Sequence, residues 1–387
     1  MRKQIIFGEP SIGKEEINYI SKVVRSKWIG SGQVTEIFEK KFKIYKNSKY
    51  ALSVNSCTAA LHLSLIYCGI KRNDEVITTP MTFASTINSI AMVGAKPILA
   101  DIDPETFNIN PKNIEKKITK KTKAILIVHL AGLPCDLNKI LKIAKKYKLK
   151  IIEDCAHAIE SKYNNKHVGN FGNTGCFSFY STKNLTTGEG GMIICKDINI
   201  YKKLRIARLH GLSKDAWKRY LPDNVKKKQY EHYDVSEIGF KYNMIDINAA
   251  MGIVQLNKIQ KHWKIRQSLF NLYKKKLEGL PLKFQKINFK NIKHAYHLFL
   301  LVIDKKKTKK KRDNLISFLS KNNIGVGINY RTVTDMTVYR KKYRWTNNTC
   351  PHSKYLGDNT LSLPIHPKVT KKEALYICEK IKQFFKK

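Results

Sequence analysis

Acidic residues are scarce in this 387-residue chain: 30 Asp and Glu stand against 73 Lys and Arg, a formal net charge of +43. Long apolar runs are missing too, and none approaches the roughly 20 residues that a membrane-crossing helix needs. The N-terminal "MRKQIIFGEPSIGKEE" turns polar after three apolar residues. That pattern predicts no signal peptide, no membrane partner and a cytoplasmic address. The eight cysteines include no CxxC pair, which argues against a zinc site or disulfide framework and for buried free thiols. Internal repeats and low-complexity linkers are also absent. What remains is 42% hydrophobic and 27% charged residues. Such a chain suits a globular protein with one large core and a second, smaller one.

A charge this large raises nucleic acid as a partner. The densest basic runs are "KKITKKTK" from Lys116 and "KKKTKKKR" from Lys305. Neither is interleaved with aromatics or lies in a nucleic-acid module. The other lysines are spread along the chain with much Ile and Asn, as a coding bias would leave them on solvated faces. No specific nucleic-acid partner is expected, although such a surface attracts an anionic substrate.

Seven short apolar runs read as strands: 49–54, 75–79, 96–100, 123–128, 149–153, 175–179 and 191–195. They are rich in Val, Ile and Leu without strict alternation, as strands buried on both faces are. Helical stretches such as "TAALHLSLIYCG" and "LNKILKIAKKYK" lie between them. The fold class is therefore α/β, with a mostly parallel seven-stranded sheet flanked by helices. A long helical stretch follows, and from "YHLFLLVI" the pattern changes. The expected division is a large domain over 1–258 and a smaller C-terminal α+β domain over 259–387.

Three strand ends carry suggestive residues. "VNSCTAAL" opens a helix with Ser56, Cys57 and Thr58, which suits either an ordinary N-cap or a phosphate cradle. "IIEDCAHAI" ends an apolar strand with Glu153 and Asp154, followed by His157. A carboxylate there is costly unless it caps a helix or meets a cation. A metal reading of Asp154 and His157 is poorer, because no second ligand pair completes it. "FSFYSTKNLTTGEGG" sets Lys183 in a loop between an apolar strand and a glycine turn. Alone this is a tight turn with an exposed lysine. Together, a phosphate anchor, a carboxylate and a lysine able to condense with an aldehyde are the parts of a pyridoxal 5′-phosphate (PLP) site. Phe83 in "TTPMTFAS" would stack on the ring.

These segments resemble the nucleotide-sugar aminotransferases of the DegT/StrS group, within the aspartate-aminotransferase-like (fold type I) PLP enzymes. The resemblance runs from "RSKWIGSGQVTEIFEKKF" through "NSCTAALHLSL", "EDCAHAI" and "FSFYSTKNLTTGEGGMI". It continues through "RLHGLSKDAWKRY" and "GFKYNMIDINAAMGIVQL" to "LSLPIHPKVT". It implies that Lys183 carries the cofactor, that Asp154 faces the ring nitrogen, and that Phe83 and Ala156 sandwich the ring. His157 would lie near the ring's phenolic oxygen. The backbone amides of Cys57 and Thr58, with the Ser178 hydroxyl, would hold the phosphate. Relatives usually have glycine where Cys57 stands. Lys241 in "GFKYNM", where many relatives have asparagine, would reach the phosphate from the neighbouring subunit of a homodimer with a shared active site. The lysine is found in a subgroup similar to enzymes aminating uridine-diphosphate 4-keto sugars.

The expected activity is amino transfer from glutamate to the keto carbon, C4 foremost, of a nucleotide-linked sugar. Such products feed lipopolysaccharide, glycan or antibiotic pathways. Lys183 argues against the related dehydratases, which have histidine there. A PLP-dependent sugar dehydratase, an aminotransferase for a non-nucleotide substrate, and a nucleic-acid-binding or regulatory protein on a PLP fold are the alternatives. Asn329 and Asp335 stand near where relatives often have histidines. "KWIGSG" (27–32) is either a wall of the sugar pocket or a simple turn.

Overall fold

The computed structural model describes residues 4–213, 233–287 and 290–386. The stretch "RLHGLSKDAWKRY" therefore lies outside the described residues from Lys214 onward. All seven expected strands form: β1 (Tyr50–Val54), β2 (Glu75–Thr78), β3 (Lys96–Leu99), β4 (Thr122–Val128) and β5 (Lys150–Asp154). After a short hairpin, β6 (Lys162–Tyr163) and β7 (Lys166–His167), come β8 (Thr174–Ser178) and β9 (Gly191–Cys195). The sheet order is β1-β9-β8-β5-β4-β2-β3. β3, β2, β4, β5 and β8 pair in parallel, whereas β9 runs antiparallel to both β1 and β8.

Burial on both faces explains the continuous apolar runs. Ile125, Ile127 and Ile151 enter a core with Phe38, Phe42 and the long helix Asp246–Lys276. Their neighbours Leu126, Val128 and Ile152 enter the opposite core, against the helix Cys57–Tyr67. The same period of two separates the paired acids at the end of β5. Glu153 is fully buried and accepts the Gly169, Phe171 and Gly172 amides at 2.8, 2.7 and 2.7 Å. It also meets His129 Nε2 at 3.1 Å. His129 Nδ1 accepts the Cys135 amide, so Nε2 carries the proton and donates to Glu153. Glu153 is thus a structural anchor, and Asp154 is left for the other face. Glu153→Ala strands those donors in the core and is expected to lower stability by about 3–5 kcal/mol. Urea unfolding of the two proteins measures it.

Beyond the large sheet, β10 (Leu282–Phe284) is followed by β11 (Ile292–Lys293), which pairs with β6. β10, β12 (Phe299–Ile303) and β13 (Thr360–Leu363) form an antiparallel sheet. It packs with the helices Arg312–Lys321 and Lys371–Lys386 around a separate core that includes Leu269, Phe270 and Tyr273 of the long helix. That helix runs unbroken through residue 258. Ile5 also joins this second core and bridges to Ile324. All eight cysteines are buried and free. Lys120, Lys121 and Lys123, and Lys305 to Lys307, are exposed, as expected of lysine on solvated faces.

Candidate active site

The strands β1, β2, β4, β5 and β8 end at one edge of the sheet, and the reversed β9 begins there, with Gly191 paired to both Val54 and Ser178. A cavity of about 580 Å³ opens at that edge, where open α/β sheets gather their ligands. Ser56 caps the helix Cys57–Tyr67, its Oγ accepting the Ala59 amide at 3.1 Å. Among the described residues, the Cys57 and Thr58 amides have no acceptor in the protein. Two free amides at the positive end of a helix are suited to an anion. A Cβ on Gly191 would stand 2.6 Å from the Ser56 carbonyl carbon and 2.8 Å from Cys57 N. Glycine is therefore what lets β9 start beneath this cradle, while Gly188, at φ +76°, turns the preceding loop.

Asp154 is 4% exposed. Its Oδ1 accepts the Ala156 amide at 3.1 Å and its Oδ2 accepts the Thr86 hydroxyl at 3.0 Å. A turn rather than a helix follows, so helix capping is not its role. Burial pushes its carboxyl above the ordinary range, offset only in part by those hydrogen bonds and the charge of Lys183. Lys183 is half-buried in the loop after β8, with its amide on the Tyr180 carbonyl at 2.9 Å. Desolvation brings its amine down to about 8, and the charge of Asp154 keeps it from falling further. A carboxylate short of a cation, an amine with weakened hold on its proton and an empty-handed helix N-terminus fit a phosphorylated pyridine aldehyde group by group.

Cys57, Thr58, Phe83 and Asp154 line this cavity, as do Ala156, His157, Ser178 and Lys183. Phe83 is 62% exposed, leaving its ring face open. Lys241 stands outside, exposed, its carbonyl accepting Asn55 Nδ2 at 3.2 Å just before the cradle helix. The segment 27–32 also lies elsewhere. It is the turn between the helices Lys14–Arg25 and Gln33–Lys46, where the Asp246 carboxylate accepts the Gly32 and Thr35 amides at 2.8 and 2.9 Å.

Other residues reach the cavity without a sequence motif to announce them. Arg266 of the long helix forms a buried ion pair with Glu160. The second Glu160 oxygen accepts Asn184 Nδ2 at 2.9 Å, and that amide also donates to the Ala295 carbonyl at 3.0 Å. Asn184 Oδ1 must then accept from His297 Nδ1, 2.9 Å away. The residue next to Lys183 is thus held by a buried hydrogen-bonded network. Arg266 and His297 line the same cavity, as does Tyr330. The adjacency of Asn184 to Lys183 was a signal available in the sequence. Arg266 was hidden among the lysines of its helix.

A family model for the DegT/DnrJ/EryC1/StrS aminotransferases matches residues 10–382. The chain is 44% identical over 374 residues to the uncharacterized protein MJ1066 of Methanocaldococcus jannaschii, covering 97% of this chain and 96% of that one. It is 37% identical over 378 residues to the spore coat polysaccharide biosynthesis protein SpsC of Bacillus subtilis, again covering 97% and 96%. Among solved structures, Spr1654 from Streptococcus pneumoniae in its PMP form superposes with a TM-score of 0.91 at 28% identity over 99% of both chains. The same protein in its PLP form gives 0.90. The fold is that of the fold type I PLP-dependent sugar aminotransferases. The chain belongs to the DegT/DnrJ/EryC1/StrS aminotransferase family, whose cofactor is PLP.

Proposed function

We propose that this sugar aminotransferase moves an amino group from glutamate to C4 of a UDP-linked keto sugar, in the cytoplasm, as a homodimer whose subunits complete each other's sites. The observation that carries the reading is the meeting of Lys183, Asp154 and the open amides of Cys57 and Thr58 in one cavity. Bound there, PLP supplies an aldehyde for Lys183 and a ring that withdraws electrons from the carbon being aminated. Asp154 would pair with the ring nitrogen and keep it protonated. Cys57, Thr58 and Ser178 would hold the phosphate, Phe83 and Ala156 would flank the ring, and His157 would lie by the phenolic oxygen. Lys183 removes and returns the proton at the reacting carbon, and a lysine amine brought to about 8 by desolvation suits both directions near neutral pH.

Lys241 supports the two-subunit reading. It is exposed beside the cradle helix yet outside its own chain's cavity. Its neighbours Val235 and Ile238 are 58% and 94% exposed, an apolar surface suited to a second copy. A cation beside the phosphate cradle suits an anionic ligand. No helix among the described residues is long and apolar enough to cross a membrane.

The test is a two-step spectrum. PLP-loaded protein is mixed with glutamate, and the isolated product is then mixed with a panel of UDP- and dTDP-linked keto sugars. Conversion to the pyridoxamine form, then return to the starting spectrum with a UDP-4-keto sugar, is expected. Return with free sugars alone would overturn the nucleotide requirement, and no response to glutamate would overturn the donor.

A further inference from the structure

Tyr330 enters the cavity from the segment after Gly327, far in sequence from every strand-end motif. Its protons can be placed one at a time. The Ala131 amide can only donate, so His157 Nδ1, 3.2 Å away, accepts. Burial, with the positive charge of Lys183 nearby, holds His157 well below the ordinary histidine range, so the ring is neutral. Its single N–H is therefore on Nε2, 2.9 Å from the Tyr330 hydroxyl. That hydroxyl accepts from His157, so its own hydrogen is left to offer.

The phenol ring is also fixed in place. It stacks on His157 at 5.8 Å between centroids and 16° between planes, and it meets Phe83 at 6.0 Å. Burial, then the charge of Asp154, pushes the phenol well above its ordinary value, so it keeps its proton at any working pH. His297, its ring 4.4 Å from that of His157 between centroids, cannot play this part, because its Nδ1–H is given to Asn184.

We propose that Tyr330 is a hydrogen-bond donor of fixed polarity, oriented through His157 by the Ala131 amide, and that it donates to an electron-rich oxygen of the bound reactants. The inference rests on the aminotransferase reading above. Two oxygens have the required chemistry: the phenolic oxygen of the cofactor and the carbonyl oxygen of the keto sugar. In either position a donor already aimed before the reaction stabilises developing negative charge without reorganisation.

Tyr330→Phe removes the O–H and keeps the ring between His157 and Phe83. The holoenzyme variant is compared with wild type by thermal melting, by its resting absorption spectrum, and by single turnover of the glutamate and sugar steps separately. Donation to the cofactor predicts a shifted resting spectrum and a loss of about ten- to hundredfold in both steps. Donation to the sugar predicts an unchanged spectrum and glutamate step, with a loss of the same order confined to the sugar step. A variant that melts like wild type, with spectrum unchanged and both steps within twofold, overturns the proposal. Failure of the aminotransferase reading would show separately, as wild type that does not react with glutamate or the sugar at all.

Discussion

Lys183→Ala is expected to lower transamination by roughly 10⁴-fold or more while leaving the fold intact. The size follows from the two tasks that one amine performs. On the proposed reading it would attach the cofactor, and it would also carry the proton at the reacting carbon. Among the described residues, no nearby side chain is placed to replace it. His157 has its Nε2–H committed to Tyr330, and His297 has its Nδ1–H committed to Asn184. Both rings are held neutral by burial and by the charge of Lys183. Lys183→Arg should fail nearly as badly, since a guanidinium keeps the charge but offers no free amine at working pH. Single turnover with glutamate measures the loss. Near-native thermal melting of the variant would show that it is chemical, because the loop is anchored through Asn184 rather than through Lys183 itself.

Asp154→Asn is expected to cost about 100- to 1,000-fold in turnover and yet to raise the melting temperature of the cofactor-free protein. The two effects have one cause. Burial raises the Asp154 carboxyl above its ordinary value in the folded chain. A folded-state value above the unfolded one means that ionisation is resisted by the fold. The stability involved is present at low pH and is lost as pH rises through the folded value. At neutral pH the cofactor-free protein therefore holds an ionised acid at a disadvantage. Asparagine keeps the Ala156 amide bond on its Oδ1, and its Nδ2 can donate to the Thr86 hydroxyl, which then gives its own hydrogen to Thr82, 2.6 Å away, while the charge is removed. On the proposed reading that same charge would face the ring nitrogen in the holoenzyme, and its loss would weaken the ring's electron withdrawal. Melting curves at several pH values, with and without PLP, separate the effects. The advantage of Asn over Asp in the cofactor-free protein should shrink as pH falls.

The large sheet was legible because its strands are buried on both faces, so each run from "KYALSV" to "GMIIC" carried its own signal. The strand-end residues were legible for the same reason: once β5 is placed, Asp154 must sit at the sheet edge. The sequence alone did not separate the roles of Glu153 and Asp154. That difference depends on which face meets the turn 169–172, a tertiary fact. Tyr330, His297 and Arg266 were illegible because they arrive from the C-terminal third, where the elements that carry them have no spacing relation to Lys183. Tyr330 directly follows Asn329, near where relatives often have histidines, but its value comes from a histidine 173 residues away. Segment 27–32 shows the converse. Its glycines suit a pocket wall or a turn equally, and the Asp246 carboxylate that makes it a turn is distant in sequence.

The most direct test of the central claim is to load the protein with PLP, reduce it with borohydride and map the modified peptide by mass spectrometry. In a chain with 73 Lys and Arg, the account predicts a single pyridoxylated residue, Lys183, in the peptide containing "STKNLTTGEGG". Labelling scattered over surface lysines, or fixed on a different one, would contradict it.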